Sequence, residues 1–160
     1  MRRIIKTRNV VVMLLLLSLL VVSAILAEDK AAEGSEASLY ERLGGVYNIA
    51  TVCDELINRL EVNEVLNANP AIDKARKLVP SAGIKFRLTA MICQATGGPE
   101  VYNGRSMKDS HAHLNISNVE WDEMVKVFSQ LLNEFKVPEK EQNELFALIG
   151  PTKAAIVTVK

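Results

Sequence analysis

Apolar residues recur with helical spacing along most of this chain. The stretch 46–60 places six of them on one face of a helix, and they are Ile49, Val52, Cys53, Leu56, Ile57 and Leu60. A longer apolar stripe follows in the second half of the chain, and it consists of Trp121, Met124, Val125, Phe128, Leu131, Leu132 and Phe135. No segment alternates apolar and polar residues in the way that is typical of a strand. The pattern therefore predicts an all-α fold.

Capping residues and helix breakers divide the middle of the chain. Asn69-Pro70 predicts the start of a short helix that ends before Pro80, because proline is favoured at the first helical position. Ser81 is predicted to cap a helix that runs from Ala82 to Thr96. Gly97-Gly98 then ends that helix.

Capping residues and helix breakers also divide the last third of the chain. Ser117 and Glu120 form a capping pair at the start of the second apolar stripe. Val137-Pro138 ends that helix, and a last helix is expected to run toward Ile156. Gly150-Pro151 predicts a kink or a break within it.

The first residues have the layout of a secretory signal peptide. Basic residues at positions 2, 3, 6 and 8 precede an apolar run from Val10 to Val22, and small residues follow. Cleavage after Ala27 is predicted, with Ala24 as the alternative. An uncleaved anchor is the competing interpretation, since the 18 residues from Val10 to Ala27 are at the short end of what spans a bilayer. Either way we expect export to a periplasmic or secreted location, with membrane contact only through an uncleaved N-terminal segment.

The signal peptide also sets the domain organisation and the charge. Residues 1–27 form the signal or anchor, 28–37 form a flexible tether, and 38–160 form one domain. Without the four basic residues of the signal, 15 basic residues face 19 acidic ones, a net charge of −4. This balance argues against nucleic acid as a partner, because a nucleic-acid backbone favours a basic surface.

The candidate chemistry centres on His111. Ser106 and Asp109 form a capping pair that starts a short helix, in which Met107, His111 and Leu114 recur at helical spacing. The imidazole therefore lies on the apolar face, with one ring nitrogen free to bond a backbone carbonyl. An axial haem ligand requires this environment, although a plain core histidine is the alternative.

Other metal chemistry has little support in the sequence. His113 is two residues beyond His111 and points about 200° away on a helix, so the two rings cannot share one ion and His113 is expected at the surface. A structural zinc site needs four ligands, and the two cysteines and two histidines lack the required spacing.

From about Ser38 to Val157 the chain resembles the group I truncated haemoglobins. Ser38-Leu39-Tyr40-Glu41-Arg42-Leu43-Gly44-Gly45 resembles the family's first helix and its glycine corner. Gly97-Gly98-Pro99, followed by Tyr102, Gly104, Met107 and His111, resembles the second corner and the approach to the proximal ligand. The resemblance implies a truncated globin fold, a 2-over-2 sandwich of two antiparallel helix pairs with haem b between them.

The resemblance also implies the residues of the haem pocket. His111 would be the proximal iron ligand. The walls would be Leu56, Ile57, Ile84, Leu88, Met91, Ile92, Met107, Ile116, Trp121, Val125 and Phe128. Phe86 is the candidate replacement for a phenylalanine that the family stacks on haem. Lys85 is a possible contact of a haem propionate, although a solvated surface lysine is the favoured interpretation.

The distal side departs from the family pattern. Ile57 stands where many members have tyrosine, and Leu88 stands where glutamine is frequent. The segment 61–81 is several residues longer than usual. If a polar donor replaces the missing ones, Thr89, Gln94 and Lys85 are the first candidates. Distal donors decide how a ligand on haem is held or activated.

These features predict reversible binding of a diatomic ligand, oxygen or nitric oxide, with carbon monoxide as a further ligand. A haem-based redox or gas sensor is an alternative, and so is a nitric oxide dioxygenase or a peroxidase-like enzyme. A third possibility is an exported helical protein without haem. An electron-transfer partner cannot be identified from the sequence.

The two cysteines lie on helices that are expected to cross. Cys53 and Cys93 both fall on apolar stripes, so buried free thiols are one interpretation. A disulfide is the other, since an exported protein meets an oxidising compartment.

Overall fold

The computed structural model describes residues 36–159. The predicted signal or anchor segment and most of the predicted tether lie outside these residues. The α-helices are α1 (Leu39–Arg42), α2 (Gly45–Glu61), α3 (Glu64–Asn67), α4 (Pro70–Arg76), α5 (Ser81–Ala95), α6 (Met107–His111), α7 (Asn118–Glu134), α8 (Glu139–Ile149) and α9 (Lys153–Ile156). Single 3-10 turns cover Ala112–Leu114 and Gly150–Thr152, and two short strands are β1 (Ile116–Ser117) and β2 (Val157–Val159).

Two helix pairs form the body of the fold. α2 packs against α5 and also against α7, while α7 and α8 share the central core. The rings of Phe128 in α7 and Phe146 in α8 meet edge to face, with 5.5 Å between their centroids. Leu131 and Leu132 are almost completely buried between the pairs. The two apolar stripes predicted for 46–60 and 121–135 therefore supply this core.

Local side-chain caps start several of the helices. Ser117 and Glu120 form the predicted capping box at the start of α7, in which the Ser117 amide donates to Glu120 Oε2 at 2.6 Å. Ser38 and Glu41 form a second capping box at α1. Gly44 then adopts a left-handed φ of 85°, which lets the chain turn from α1 into α2.

The predicted cap of α5 is wrong by one residue. Ser81 is the first helical residue, the N-cap is Pro80, and the Ser81 hydroxyl has no hydrogen-bond partner among the described residues. Pro80 lies in extended backbone, and its carbonyl accepts from the amides of Gly83 and Ile84. The fixed φ of proline places the turn one position earlier than the serine predicts.

The prediction of an all-α fold missed two short strands. β1 and β2 form a parallel pair in which Ile116 lies opposite Val157 and Ser117 opposite Val159. The pairing joins the segment just after α6 to residues that follow α9. The helix α3, which Asn63 caps, was also not predicted.

The final helix breaks where Gly150-Pro151 predicted it. A 3-10 turn separates α8 from α9, and Ile156 of α9 is buried against Ile116 and Trp121. Within residues 36–159, no helix combines the length and the apolar content that a membrane crossing requires.

Candidate functional site

The short helix α6 presents His111 at its last residue. Ser106 caps the helix by accepting from the Asp109 amide at 3.1 Å, and its hydroxyl donates to Asp109 Oδ2 at 2.7 Å. These contacts confirm the predicted capping pair. The prediction that Leu114 continues the same α-helix is wrong, because a 3-10 turn begins at Ala112. Met107 and Leu114 nevertheless join one apolar cluster.

The imidazole of His111 is held through one of its two ring nitrogens. Nδ1–H donates to the carbonyl oxygen of Met107 at 2.8 Å. Among the described residues, Nε2 has no hydrogen-bond partner. A backbone carbonyl on Nδ1 fixes both the tautomer and the ring orientation, and it leaves Nε2 as a free lone pair for a metal.

Burial lowers the pKa of His111 below its ordinary value, and the bond to Met107 opposes this only in part. The nearby His113 also lowers the pKa of His111. The ring is therefore neutral at pH 7, and a neutral imidazole is the form that binds a metal ion.

The predicted pocket walls divide into two groups by burial. The fully buried members are Leu56, Ile57, Ile116, Trp121 and Phe128. The members that the protein covers only in part are Ile84, Leu88, Met91, Ile92, Met107 and Val125. Apolar side chains that are covered in part offer surface to an apolar ligand. A flat apolar group placed against them would complete their burial.

The partly covered residues belong to two sides of the molecule's core. Leu88 and Ile92 of α5 pack against the central cluster that contains Phe128. Met107 and Val125 pack around Ile116 and Trp121, on the side that carries His111. The partly covered apolar residues therefore lie both on α5, which carries the distal position Leu88, and around the segment that holds His111.

The polar side chains considered for the distal side are Thr89, Gln94 and Lys85. The Thr89 hydroxyl donates to the Lys85 carbonyl at 2.9 Å. Gln94 is exposed, and its Oε1 accepts from the Tyr102 amide at 2.6 Å, which leaves its amide nitrogen available to donate. Ile57 and Leu88 themselves are hydrocarbon.

Lys85 has partners other than those predicted. Its Nζ lies 2.7 Å from Asp54 Oδ1 and 2.6 Å from Asn58 Oδ1, both on α2. The Lys85 side chain is 23% exposed and Asp54 is 56% exposed, so this ion pair lies at the surface. The packing of α5 on α2 brings Asp54 to the ammonium group, and a propionate contact stays a prediction.

Phe86 is the clearest departure from the predicted pocket. It is 67% exposed, and the Arg87 guanidinium lies 6.0 Å from its ring centroid. The neighbouring positions Ile84 and Leu88 turn inward, so helical geometry turns Phe86 outward. The structure therefore does not support Phe86 as a ring that stacks on haem.

The other candidate ligands do not form a second metal centre. His113 is exposed, as predicted. In the part of the chain that the structure describes, no three side chains of His, Cys, Asp or Glu lie together in a way that could hold a metal ion.

The cysteines are free and buried. Cys53 is 4% exposed and Cys93 is fully covered, and both belong to one cluster between α2 and α5. Burial raises the pKa of the Cys53 thiol to about 12 and that of Cys93 to about 11. Of the two interpretations, buried free thiols are what the structure shows, and the disulfide is not formed. Thiols that stay protonated at neutral pH are poor nucleophiles.

Asn69 was predicted only as the start of a helix, and its contact with the turn after His111 was not. Asn69 caps α4, and its Nδ2 donates to the Leu114 carbonyl at 2.9 Å. Its Asn-Pro context predicts the cap, but nothing local indicates a partner 45 residues away. A surface hollow of about 720 Å³ opens beside Asn69, and neither His111 nor any predicted wall residue lines it.

Comparisons with known proteins extend the geometric description. A model of the bacterial-like globin family matches residues 38–158. The Group 1 truncated hemoglobin GlbN of Nostoc sp. (strain MUN 8820) is 27% identical over 122 residues, which are 76% of this chain and 98% of the relative.

Solved structures show the same fold. The Fe(III) form of truncated hemoglobin from Tetrahymena pyriformis superposes with a TM-score of 0.66 at 21% identity, covering 76% of this chain and 98% of its own. The 2/2 hemoglobin from Synechococcus sp. PCC 7002, in the cyanomet state with covalently attached heme, gives the same TM-score, identity and coverage.

Proposed function

Because the chain belongs to the bacterial-like globin family, we propose that it binds haem through His111 and takes up a diatomic ligand such as oxygen. The observation that carries the proposal is the half-buried imidazole whose Nδ1 is bonded to Met107 and whose Nε2 is free within residues 36–159. Haem is the cofactor of this family, and its iron would supply the site at which a diatomic ligand binds.

The donor set and its surroundings fit a haem group. His111 offers a neutral nitrogen on an oriented ring, and the partly covered apolar side chains offer the slot. Leu88 and Ile92 would contact one face of the plate, while Met107 and Val125 would contact the face nearer His111. With haem bound, these side chains would exclude water from it, which would favour reversible ligand binding over oxidation.

The polar groups around the site favour ligand binding over oxygen activation. Activation needs a donor that polarises the ligand, whereas Thr89 and Lys85 donate to other groups and Gln94 is exposed. We therefore propose reversible binding of oxygen or nitric oxide as the function, with carbon monoxide as a further ligand. Export to the periplasm or beyond is part of the proposal, and it rests on the predicted signal peptide alone.

Two histidine variants test the haem assignment. His111→Ala is expected to abolish stable haem incorporation, because it removes the free Nε2. His113→Ala is the matched control, since that ring is exposed, and its visible spectrum is expected to match the native protein. Absorption spectra of the purified and haem-reconstituted proteins give the answer. A native protein without a Soret band after reconstitution, or loss of haem in His113→Ala alone, would contradict the proposal.

A further inference from the structure

The side chain of Asn69 joins two elements that are distant in sequence. Its Oδ1 accepts from the amides of Ala71 at 2.9 Å and Ile72 at 3.4 Å, which caps α4. Its Nδ2 donates to the carbonyls of Leu114 at 2.9 Å and Asn115 at 3.4 Å. We call residues 112–115, which directly follow His111, the proximal turn. One amide group thus uses its oxygen on α4 and its nitrogen on the proximal turn, and the side chain also bonds the Glu120 carboxylate at the start of α7.

The proximal turn needs support from outside because the helix before it is short. α6 has five residues, and an isolated helix of this length is unstable in water. The turn ends at Asn115, which adopts a left-handed φ of 52°, a conformation that ends a helix and that asparagine tolerates better than most residues. Carbonyls at the end of such a helix have no donor of their own helix. Asn69 supplies the missing donor.

Apolar packing reinforces the hydrogen bonds on the same side. Ile72, one turn into α4, packs in the cluster that contains Met107 and Leu114. Met107 is the residue whose carbonyl accepts from His111 Nδ1. α4 therefore contacts the turn that follows His111, and its Ile72 shares an apolar cluster with Met107.

We propose that Asn69 is a positioning residue for His111, which fixes the proximal turn and thereby the orientation of the imidazole. The inference rests on the proposed function, since it concerns how the ring is presented to haem iron. It also gives a role to segment 61–81, which contains α4. This segment brings α4 against the proximal turn, where the carbonyls at the end of the short α6 lack donors of their own helix.

Serine at position 69 separates the two roles of the side chain. Asn69→Ser keeps a hydroxyl that caps helices about as well as asparagine does, but it removes the donor to the proximal turn. Asn63→Ser is the matched control, because Asn63 caps α3 and donates Nδ2 to Glu123 Oε1 at 3.0 Å, away from His111. Asn69→Thr is a second variant of the same design, in case the serine protein does not fold.

Three measurements on the haem-loaded full-length chain report on the position of the His111 imidazole. In the ferrous protein, the iron–histidine stretching band of Asn69→Ser is expected to shift or broaden in resonance Raman spectra. Haem transfer to apomyoglobin is expected to be about three- to tenfold faster, the change that follows from losing one or two net hydrogen bonds. Hydrogen exchange at the amides of 112–116 should accelerate. Asn63→Ser should match the native protein in all three, even where its melting temperature falls.

The outcomes distinguish this inference from the proposed function. A native protein that binds no haem, or that keeps it in His111→Ala, contradicts both. If His111 is the ligand and Asn69→Ser and Asn63→Ser behave alike, only the positioning role is wrong. If both variants at position 69 unfold while Asn63→Ser does not, Asn69 supports the whole fold and the specific role is also overturned.

Discussion

Ile57 and Leu88 are the side chains expected to face a ligand on the distal side, and both are hydrocarbon. Ile57 is 8% exposed in α2, and Leu88 is half-buried in α5. Neither can donate a hydrogen bond, and the nearest polar candidates have other partners. The strength with which oxygen is held should therefore depend on the iron and on His111, with little help from the opposite face.

A hydroxyl introduced at position 57 should slow the release of oxygen. Ile57→Tyr places a donor near the ligand, and such a bond contributes about 0.5–1.5 kcal/mol or somewhat more toward a partly charged acceptor. We expect oxygen to dissociate up to about tenfold more slowly, since about 1.4 kcal/mol corresponds to a factor of ten. Carbon monoxide carries less charge and should respond less. Stopped-flow dissociation of both ligands measures the effect.

Ile57→Phe is the control for the size of the new ring, because it adds the aromatic group without the hydroxyl. If it slows oxygen release as much as Ile57→Tyr, the effect is steric. Slow release from the native protein would instead reveal a distal donor and would favour oxygen-activating chemistry.

Sequence reasoning about single residues succeeded where the partner is local. The pairs Ser106–Asp109 and Ser117–Glu120 were predicted because each cap acts over three residues. Lys85 was not, since Asp54 lies on another helix and only the packing of α5 on α2 brings the two together. No pattern around Lys85 contains that information.

Ion pairs of Arg42 connect α1 to α8, a contact that the apolar stripes alone do not predict. Arg42 at the end of α1 bonds Glu141 at 3.0 Å and also Glu144, both on α8, while it donates to the Ala37 carbonyl at 2.7 Å. Hydrogen bonding from Arg42 lowers the pKa of the Glu141 carboxyl. A carboxylate whose pKa is lowered on folding stabilises the fold above its ordinary pKa, and that contribution disappears as the pH falls through the folded value.

Neutralising Glu141 should therefore destabilise the protein in a pH-dependent way. Glu141→Gln is expected to lower the melting temperature at pH 7, because Arg42 loses a charged partner that is largely covered. The difference from the native protein should shrink as the pH falls below 4.5, the ordinary pKa of this carboxyl in the unfolded chain, and disappear below its lowered pKa in the folded state, where native Glu141 is protonated as well. Thermal unfolding followed by circular dichroism between pH 3 and pH 7 gives both values.

Glu139→Gln removes the same charge from the same helical turn and serves as the control. Glu139 is exposed, so its variant should lose less stability at pH 7. Equal losses in the two variants would mean that the helix dipole, and not Arg42, accounts for the effect.

Among the larger elements, length decided what the sequence could predict. α2, α5, α7 and α8 span eleven residues or more, so their apolar period is readable. β1 and β2 have two and three residues, and α3 has four, which is too few to show a period. The strand pairing is also non-local, since Ile116 meets Val157. Tertiary packing determines such elements, and no local signal precedes it.

The whole chain combines a globin domain with an N-terminal segment, for which only the sequence predicts a role in export. The family match covers residues 38–158, so the segment 1–27 is additional to it. The order of the helices, the glycine corners and the position of His111 were all predictable because they depend on motifs read in sequence order.

The full-length chain is expected to be exported and cut after about Ala27. Expression in a bacterium, followed by cell fractionation and N-terminal sequencing of the product, measures this directly. Leu16→Arg should hold the protein back, since a charge in the middle of the apolar run costs about 2.5–3.5 kcal/mol on insertion. Leu16→Ala is the matched control and should still be exported. A full-length cytoplasmic product of the native chain would contradict the prediction, and a full-length membrane-bound product would favour the anchor.

The pairing of β1 with β2 has a practical consequence for anyone who fuses this protein to another. Val157 and Val159 pair with Ile116 and Ser117, which begin five positions after His111. A mechanical load on the carboxyl end would therefore act on the segment that follows His111. A fusion ahead of Ser38 instead meets α1, which packs on α8. Affinity tags, surface tethers and fluorescent reporters are therefore better placed directly ahead of Ser38, where a mechanical load should act on α1 and α8 and not on the segment that follows His111.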